Sequence, residues 1–454
     1  MTNIHSEYGL RKLLQLALPV IASSFLSMAY SFINVLFVGK LGSGAVAAVG
    51  TAGFYMNLSW SISALITVGT GIKVSHAVGK RDLTLAKGYI RSGMLAIGVI
   101  ALAYLAFLMI FNKELIGFVK LNDVAIETAS ANYLVWAGLC IPFTFINLFF
   151  TSVFIGYGDS RSPFRINATA FALNILLDPI LIFLVGLGIK GAAIATILSQ
   201  VTATVLFFYK VKATKTICPE RGAFSKKLLK DIVGLGVSPA VQRVSFTIVA
   251  IFMARIISNW GPAAIAVQKV GVQIEAISYM TAGGFLSALS AMSGKAYGAK
   301  NYQGQWVAFK SGITVAFVIG VVTSSLFILF PEALFSIFIN EEESIAMGSA
   351  YLRVLGFSQL FMCLEMVTTG AFFGWGKTNI PAITSISLTV LRIPMALLFI
   401  QFWSNSLVSV WWSISISSMA KGIILTVLYI ILFKFFLRDK YHETSFKVNA
   451  FTIE

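Results

Sequence analysis

Apolar residues in this chain come in blocks of twenty or more, separated by short stretches that carry charge, glycine or proline. They neither alternate at every second position nor keep to one narrow helical face. A helix needs about 20 mostly apolar residues to cross the hydrocarbon core of a bilayer. The blocks predict twelve such helices, at roughly 13–38, 46–72, 92–112, 128–155, 163–186, 190–209, 229–257, 262–291, 305–330, 347–374, 379–401 and 406–433. Polar residues interrupt the runs at 128–155 and 262–291 more than the others. The ten-residue alternation of an outer-membrane barrel is absent. The first run is too long for the core of a signal peptide, and no A-x-A cleavage site follows it.

Composition agrees. Of 454 residues, 57% are hydrophobic and 11% charged, against about 25% charged in soluble domains. So few charges cannot cover a soluble fold of this length, which excludes a soluble enzyme, a disordered chain and a secreted disulfide scaffold. Cys140, Cys218 and Cys363 are scattered and form no metal-binding pair. His5, His76 and His442 lie near helix ends or in the termini. The net charge of +16 invites a nucleic-acid partner, but its placement argues against one. An even number of spans puts both termini on one side. Of the 34 basic residues only Lys40, Lys113, Lys120 and Lys190 fall in the opposite loops, one of which carries Glu341, Glu342 and Glu343. The terminus side holds the clusters around Lys80 and Arg81, Lys210 to Lys230, and Lys434 to Lys447. By the positive-inside rule both termini are cytoplasmic. The bilayer is then the chain's extended partner, in the cell (cytoplasmic) membrane, and nucleic acid is not.

Self-comparison reveals a duplication. Gly42–Ala48 matches Gly261–Val267 at an offset of 219. Gly79-Lys80-Arg81-Asp82 with Ser92-Gly93 matches Gly298-Ala299-Lys300-Asn301 with Ser311-Gly312 at the same offset. Phe154–Gly158 with Pro163 matches Phe372–Gly376 with Pro381 at 218, and Leu18-Pro19 resembles Ser238-Pro239 at 220. The offset spans six helices, so the halves are parallel repeats about an axis along the membrane normal. The expected fold is an all-α polytopic membrane protein of twelve transmembrane helices in two pseudo-twofold-related six-helix bundles. The expected domains are an N-terminal lobe at 1–210, a cytoplasmic linker at 211–231 and a C-terminal lobe at 232–454. Halves of this kind enclose a cleft in which transporters place substrate.

An ionisable group within hydrocarbon is costly, so each one inside a span is a candidate site. Asp178 lies about 12 Å from the outer end of the fifth span, at 1.5 Å per residue. Asn174 precedes it by one turn on the same face. Pro179 cannot donate to the Ile175 carbonyl. Thr196 lies about 9 Å down the sixth span by the same rise, and Asn34 falls in the outer part of the first. These are hard oxygen donors suited to Na⁺, or to a carboxylate that takes a proton. A structural hydrogen bond at a proline kink, with packing bonds at Asn34, Asn174 and Thr196, is the alternative.

The second half lacks that cluster. At the 218 offset Asn174 falls on Arg392 and Asp178 on Ala396. It carries Arg243, Glu275, Glu365, Arg392 and Lys421 at span depth instead. Arg243 and Glu275 lie at similar depth and are expected to neutralise each other, unless Glu275 meets a cationic substrate. Glu365 is open to the same two roles, Arg392 is expected to serve as a counter-ion, and Lys421 to snorkel. Aromatic residues are 13% of the chain, enough for some to stack on flat apolar cations.

The segments at 16–42, 78–82, 156–163, 174–179 (NILLDP), 293–301 and 374–381 resemble the multidrug and toxic compound extrusion transporters, over nearly the whole chain. That resemblance implies twelve helices in two lobes. It also implies export of organic cations, drugs or other small amphipathic molecules in exchange for H⁺ or Na⁺ by alternating access. In prokaryotic members the coupling-ion site is in the first lobe. The family's helix-five Asn and Asp match Asn174 and Asp178, and its helix-six Thr matches Thr196. Its helix-one Asp is Asn34 here, which removes one of two carboxylates and leaves coupling to Asp178, to another ion, or to Glu275. No resident cofactor is expected, the partner is a small-molecule substrate, and the chain is expected to act as a monomer. A flippase for lipid-linked precursors, from the same superfamily, is the rival that Arg243, Arg255 and Arg392 keep open. An enzyme is not expected, because no DDxxD, HExxH or GxSxG run is present.

Overall fold

Backbone N–H and C=O groups find no water in hydrocarbon, so a spanning chain must satisfy them within each segment. The computed structural model describes residues 4–119, 123–214, 217, 224–339, 341–402 and 406–450, and among them there is no strand. Lys120, Lys215, Cys218 and Arg221 lie outside the described residues, as do most of the central part of the expected linker and the side chains of His5, Lys440, His442 and Lys447.

The helices follow one another as α1 (Ile4–Tyr8), α2 (Leu10–Gly39), α3 (Ser43–Gly79), α4 (Leu83–Ile110), α5 (Asn112–Val119), α6 (Val124–Gly138), α7 (Ile141–Gly156), α8 (Arg161–Pro179) and α9 (Ile189–Ala213). The second half continues with α10 (Lys226–Ile257), α11 (Pro262–Gly298), α12 (Tyr302–Leu329), α13 (Pro331–Ser336), α14 (Glu342–Trp375), α15 (Asn379–Val390), α16 (Arg392–Phe402) and α17 (Leu407–Ala450). Ten helical segments among the described residues are each long and apolar enough to span a membrane, and α6 with α7, bent by 47°, makes an eleventh. The twelfth is α11, whose Gln268, Lys269, Gln273 and Glu275 lower its hydropathy. These last two are the runs that polar residues interrupt in the sequence.

The duplication is written into the backbone. Arg81 (φ 59°) and Lys300 (φ 55°) are the positive-φ non-glycine residues among the described ones, and they occupy the same place in the two repeats. Each precedes an N-cap of the same kind: Asp82 accepts from the Leu85 N–H at 2.8 Å, and Asn301 from the Gly304 N–H at 2.8 Å. Gly42 (φ 105°) and Gly261 (φ 90°) turn the chain at the opposite end of the third and eleventh helices, a conformation that side chains with a Cβ avoid.

By packing, Leu14–Val241 forms one unit, and Met1–Leu13 with Gln242–Glu454 the other. The expected boundary at 211–231 differs from this one, which falls inside α10. Glycine explains the shift. A Cβ at Gly236 would overlap the Leu65 carbonyl, and one at Gly69 would overlap the Ile232 carbonyl, so α3 and the start of α10 cross backbone to backbone. The core of the first unit is built on Phe145, Phe149, Phe150 and Phe154 of α7 against Phe207 of α9, with Phe150 stacked on Phe207 at 5.9 Å. In the second unit Tyr351 meets Trp411 edge to face at 5.2 Å. On another level Trp306, Phe433 and Tyr429 stack in series.

The glycine crossing makes a paired prediction. Gly236→Ala drives a methyl group into a carbonyl and is expected to cost about 1–3 kcal/mol. Gly234→Ala, two residues away and facing open space, is expected to be neutral or slightly stabilising, because alanine favours the helix by about 1 kcal/mol. Thermal unfolding of the detergent-solubilised proteins measures both, and equal melting temperatures would refute the tight crossing.

Candidate functional site

In the first unit three helices deliver one polar cluster. The fifth span is α8 followed by a π-helical turn at Ile180–Leu184. Pro179 ends the regular helix there, having no N–H to continue the ladder, and the Val185 N–H reaches the Ile180 carbonyl at 2.9 Å instead. Asp178 and Asn174 sit on the last turns of α8, with relative exposures of 0% and 1%. From α2, Asn34 Nδ2 donates to Asp178 Oδ2 at 3.3 Å. One turn earlier on α2, the Tyr30 hydroxyl lies 3.3 Å from Thr196 Oγ1 of α9 and accepts from Asn34 Nδ2 at 3.4 Å. The structure thus brings Asn34, Asn174, Asp178 and Thr196 together, as the sequence suggests, and adds Tyr30 and Ser199. Tyr30 could have been found by stepping one turn back from Asn34, and Ser199 by stepping one turn on from Thr196.

Two orientations of the Asn174 amide differ in how they meet Asp178. In one, Nδ2 donates to Thr196 Oγ1 at 3.3 Å and Ser199 Oγ at 3.1 Å, which turns its carbonyl oxygen toward Asp178. Turned by half a revolution, Nδ2 donates to Asp178 Oδ2 at 2.9 Å and Oδ1 at 3.2 Å, and the amide oxygen accepts from Ser199 Oγ and the Thr196 N–H, both at 3.1 Å. An ionised carboxylate offers acceptors only, so it selects the second orientation. A protonated carboxyl has an O–H to give to the amide oxygen, so it is compatible with the first. Among the described residues no ion pair includes Asp178, and no group of three or more His, Cys, Asp or Glu could hold a metal ion. One carboxylate among neutral amides and hydroxyls can take a proton. It can also share a small hard cation with the amide and hydroxyl oxygens.

The second unit meets its charges differently. Lys421 Nζ lies 3.0 Å from Glu365 Oε2, with both side chains at least nine-tenths buried, and Ser385 donates to Glu365 at 2.6 Å. Arg392 Nε donates to Ser417 at 2.6 Å and Nη2 to Ser418 at 2.9 Å, while the guanidinium lies 5.8 Å over the Phe246 ring. Tyr351 donates a short hydrogen bond to Glu275, which also feels the Arg392 charge. Two expectations are corrected here. Arg243 is not among the groups that meet Glu275: its side chain is exposed, and among the described residues the acid is met by Tyr351, Gln359 and the Arg392 charge. Lys421 does not snorkel either; its relative exposure is 6%, because Glu365 holds it inside. Glu365 is thus paired, and Arg392 is a buried cation with two acids in electrostatic reach.

Paired helical repeats that bury a lone acid on one side and a balanced set of charges on the other define a polytopic transporter. A family model described as MatE matches residues 19–180 and 239–398, and the chain belongs to that family of membrane transporters. Over 415 residues it is 26% identical to the probable multidrug resistance protein NorM of Thermotoga maritima, covering 88% of each chain. Over 437 residues it is 23% identical to the multidrug export protein MepA of Staphylococcus aureus, covering 95% of this chain and 94% of that one. The fold matches a crystal structure of a MATE transporter in its bent conformation with a TM-score of 0.90, at 21% identity over 97% of this chain and 99% of that one.

The buried pair carries its own test. Glu365→Gln leaves Lys421 a charge without its partner, which costs about 3–5 kcal/mol in a buried setting. The double variant Glu365→Gln/Lys421→Met removes both charges and is expected to recover most of that loss. Thermal unfolding in detergent compares the three proteins, and a double variant no more stable than the single one would show that the pair is not the source of the effect.

Proposed function

We propose that this chain is a secondary antiporter of the cell membrane, with both termini cytoplasmic, that exports organic cations or other small amphipathic molecules in exchange for protons taken up at Asp178. The observation that carries the reading is a single fully buried carboxylate with neutral hydrogen-bond partners and, among the described residues, no counter-ion. Such a group holds its charge at a cost that protonation relieves. A proton is favoured over Na⁺ because the family's second carboxylate is Asn34 here. Its amide Nδ2 already faces Asp178 at 3.3 Å, where a sodium ion would need an oxygen.

On this reading, uptake from outside discharges Asp178 and lets the Asn174 amide reverse, giving its N–H groups to the Thr196 and Ser199 hydroxyls instead of to the carboxyl. That reverses the direction of the hydrogen bonds between α8 and α9 next to the π-turn after Pro179. Substrate leaves outward, and the neutral state favours the inward-open arrangement, from which the proton is released inside. The cycle couples only if the proton binds the two states with different affinity. Typical couplings between sites are about 1–3 kcal/mol. The chain acts as a monomer, with no resident cofactor.

Ethidium efflux from cells, with Na⁺ and pH gradients varied separately, tests the proposal. Wild type is expected to follow the pH gradient, and Asp178→Asn to lose gradient-driven efflux by about tenfold or more, a factor equivalent to about 1.4 kcal/mol. Asn34→Asp places a second carboxylate beside the first and is expected to add a Na⁺ dependence that wild type lacks. Full coupled efflux by Asp178→Asn, or wild-type efflux indifferent to the pH gradient, would overturn the reading; dependence on Na⁺ alone would assign the site to sodium.

A further inference from the structure

The two units can be superposed in sequence at the site itself. Asn174 bonds Ser199, 25 residues on, at 3.1 Å, and Arg392 bonds Ser417, also 25 residues on, at 2.6 Å. Asn174 and Arg392 are 218 apart, as are Ser199 and Ser417. The repeat thus preserves a serine on the following span and replaces the amide facing it with a guanidinium. The same offset takes Asp178 to Ala396 and Asn147 to Glu365. Asn147 accepts from Thr204 at 2.9 Å; its counterpart Glu365 pairs at 3.0 Å with Lys421, the residue next to Thr204's counterpart Gly422. A neutral network with one acid in the first unit corresponds to a charged network in the second, and the position facing the conserved serine has turned cationic.

The charges of that network balance. Glu275, Glu365, Arg392 and Lys421 are two acids and two bases within the membrane-spanning part of the second unit. The other charged side chains at that depth are accounted for elsewhere: Arg243, Arg255 and Lys269 are exposed, and Arg353 pairs with Glu332 at 3.3 Å. Arg392 is held as a planar cation should be held, with two serine hydroxyls at its edge and an aromatic ring at its face.

We propose that Arg392 is a tethered, permanent cation in the second unit's counterpart of the first-unit polar site, and that removing its side chain leaves a pocket that binds free guanidinium ion. The resident charge balances Glu275 beside the Glu365–Lys421 pair, so the second unit exchanges no cation. Arg392 is a positioning residue for the two acids, not a group that touches substrate. The contrast with an exchangeable cation in the first unit rests on the reading of Asp178 given above; the pocket itself does not.

The test is chemical rescue of the full-length protein in detergent or lipid nanodiscs. Arg392→Ala is expected to lower the melting temperature and efflux. Guanidinium chloride at low millimolar concentration is expected to restore at least half of each loss, with no effect on wild type and none from NaCl or methylammonium chloride at equal ionic strength. Calorimetric titration of guanidinium should give saturable heat with Arg392→Ala only. The same titration with Arg392→Ala/Asp178→Asn should be unchanged, which separates this inference from the role of Asp178. A companion variant, Arg392→Met/Glu275→Gln, restores charge balance and is expected to fold near wild-type stability without responding to guanidinium. The proposal is overturned if Arg392→Ala melts like wild type, or if NaCl rescues it as well as guanidinium does. It is also overturned if Arg392→Ala fails to fold and the charge-balanced double variant fails equally.

Discussion

Moving a charged group from water into a low-dielectric interior costs several kcal/mol even after the protein relaxes, and that cost organises this molecule. Most lysine and arginine lies at or near the ends of helices, away from the middle of the spans. Charge that is buried inside a span is answered in one of two ways. In the second unit it is cancelled in place, with Lys421 against Glu365 at 3.0 Å and Arg392 within reach of both acids. In the first unit it is left uncancelled at Asp178, softened only by the dipoles of two amides and by nearby hydroxyls. The first solution is stable and inert. The second is poised, because a single proton or cation settles it.

The duplication shows which features tolerate divergence. Backbone devices at the helix junctions persist in both repeats: the positive-φ residues Arg81 and Lys300, the N-caps Asp82 and Asn301, and the turn glycines Gly42 and Gly261. Each satisfies or shapes backbone that no side-chain swap could replace at low cost. The fifth span of each half is irregular, but not at the same place: a π-turn follows Pro179 in one, whereas in the other the irregular residue is Leu391, through which the helical ladder continues to Ser387 and from Met395. What has diverged is the chemistry on that span.

Much of this was legible in the chain, for reasons that are local. Span length, the loop charges and the repeat depend on runs and blocks that need no knowledge of packing. The Asn174–Asp178 pair was visible because four residues on a helix return to the same face, and Asn34 and Thr196 because depth can be counted from a span end. The misplaced partners failed for a different reason. Depth along a helix does not say which way a side chain points, so counting makes Arg243 and Glu275 neighbours although the Arg243 side chain is exposed and Tyr351 holds the acid. Lys421 was sent to the membrane surface because its partner Glu365 is 56 residues away in sequence, where no periodicity links them. The packing boundary between units falls inside α10 and not in the basic loop, because the α3–α10 glycine crossing shows only in three dimensions.

The asymmetry between the units also bears on how a gradient can do work here. Coupling requires a group whose occupancy changes during the cycle and whose neighbours change with it. An ion pair such as Glu365–Lys421 meets neither condition, since protonating the acid would strand the lysine and releasing the lysine would strand the acid. Asp178 meets both. On the proposed reading its charge can be removed without stranding an ion-pair partner. With the carboxylate ionised, the Asn174 amide gives its N–H groups to Asp178 and accepts from Ser199 and Thr196; with the carboxyl protonated, the reverse orientation gives them to Thr196 and Ser199. The amide bridges α8 and α9 in both, and what changes with the charge is the direction of its hydrogen bonds. Two such occupied states separated by a small free-energy gap are what a few kcal/mol of gradient can interconvert, and a network locked by its own counter-ions has no second state to offer.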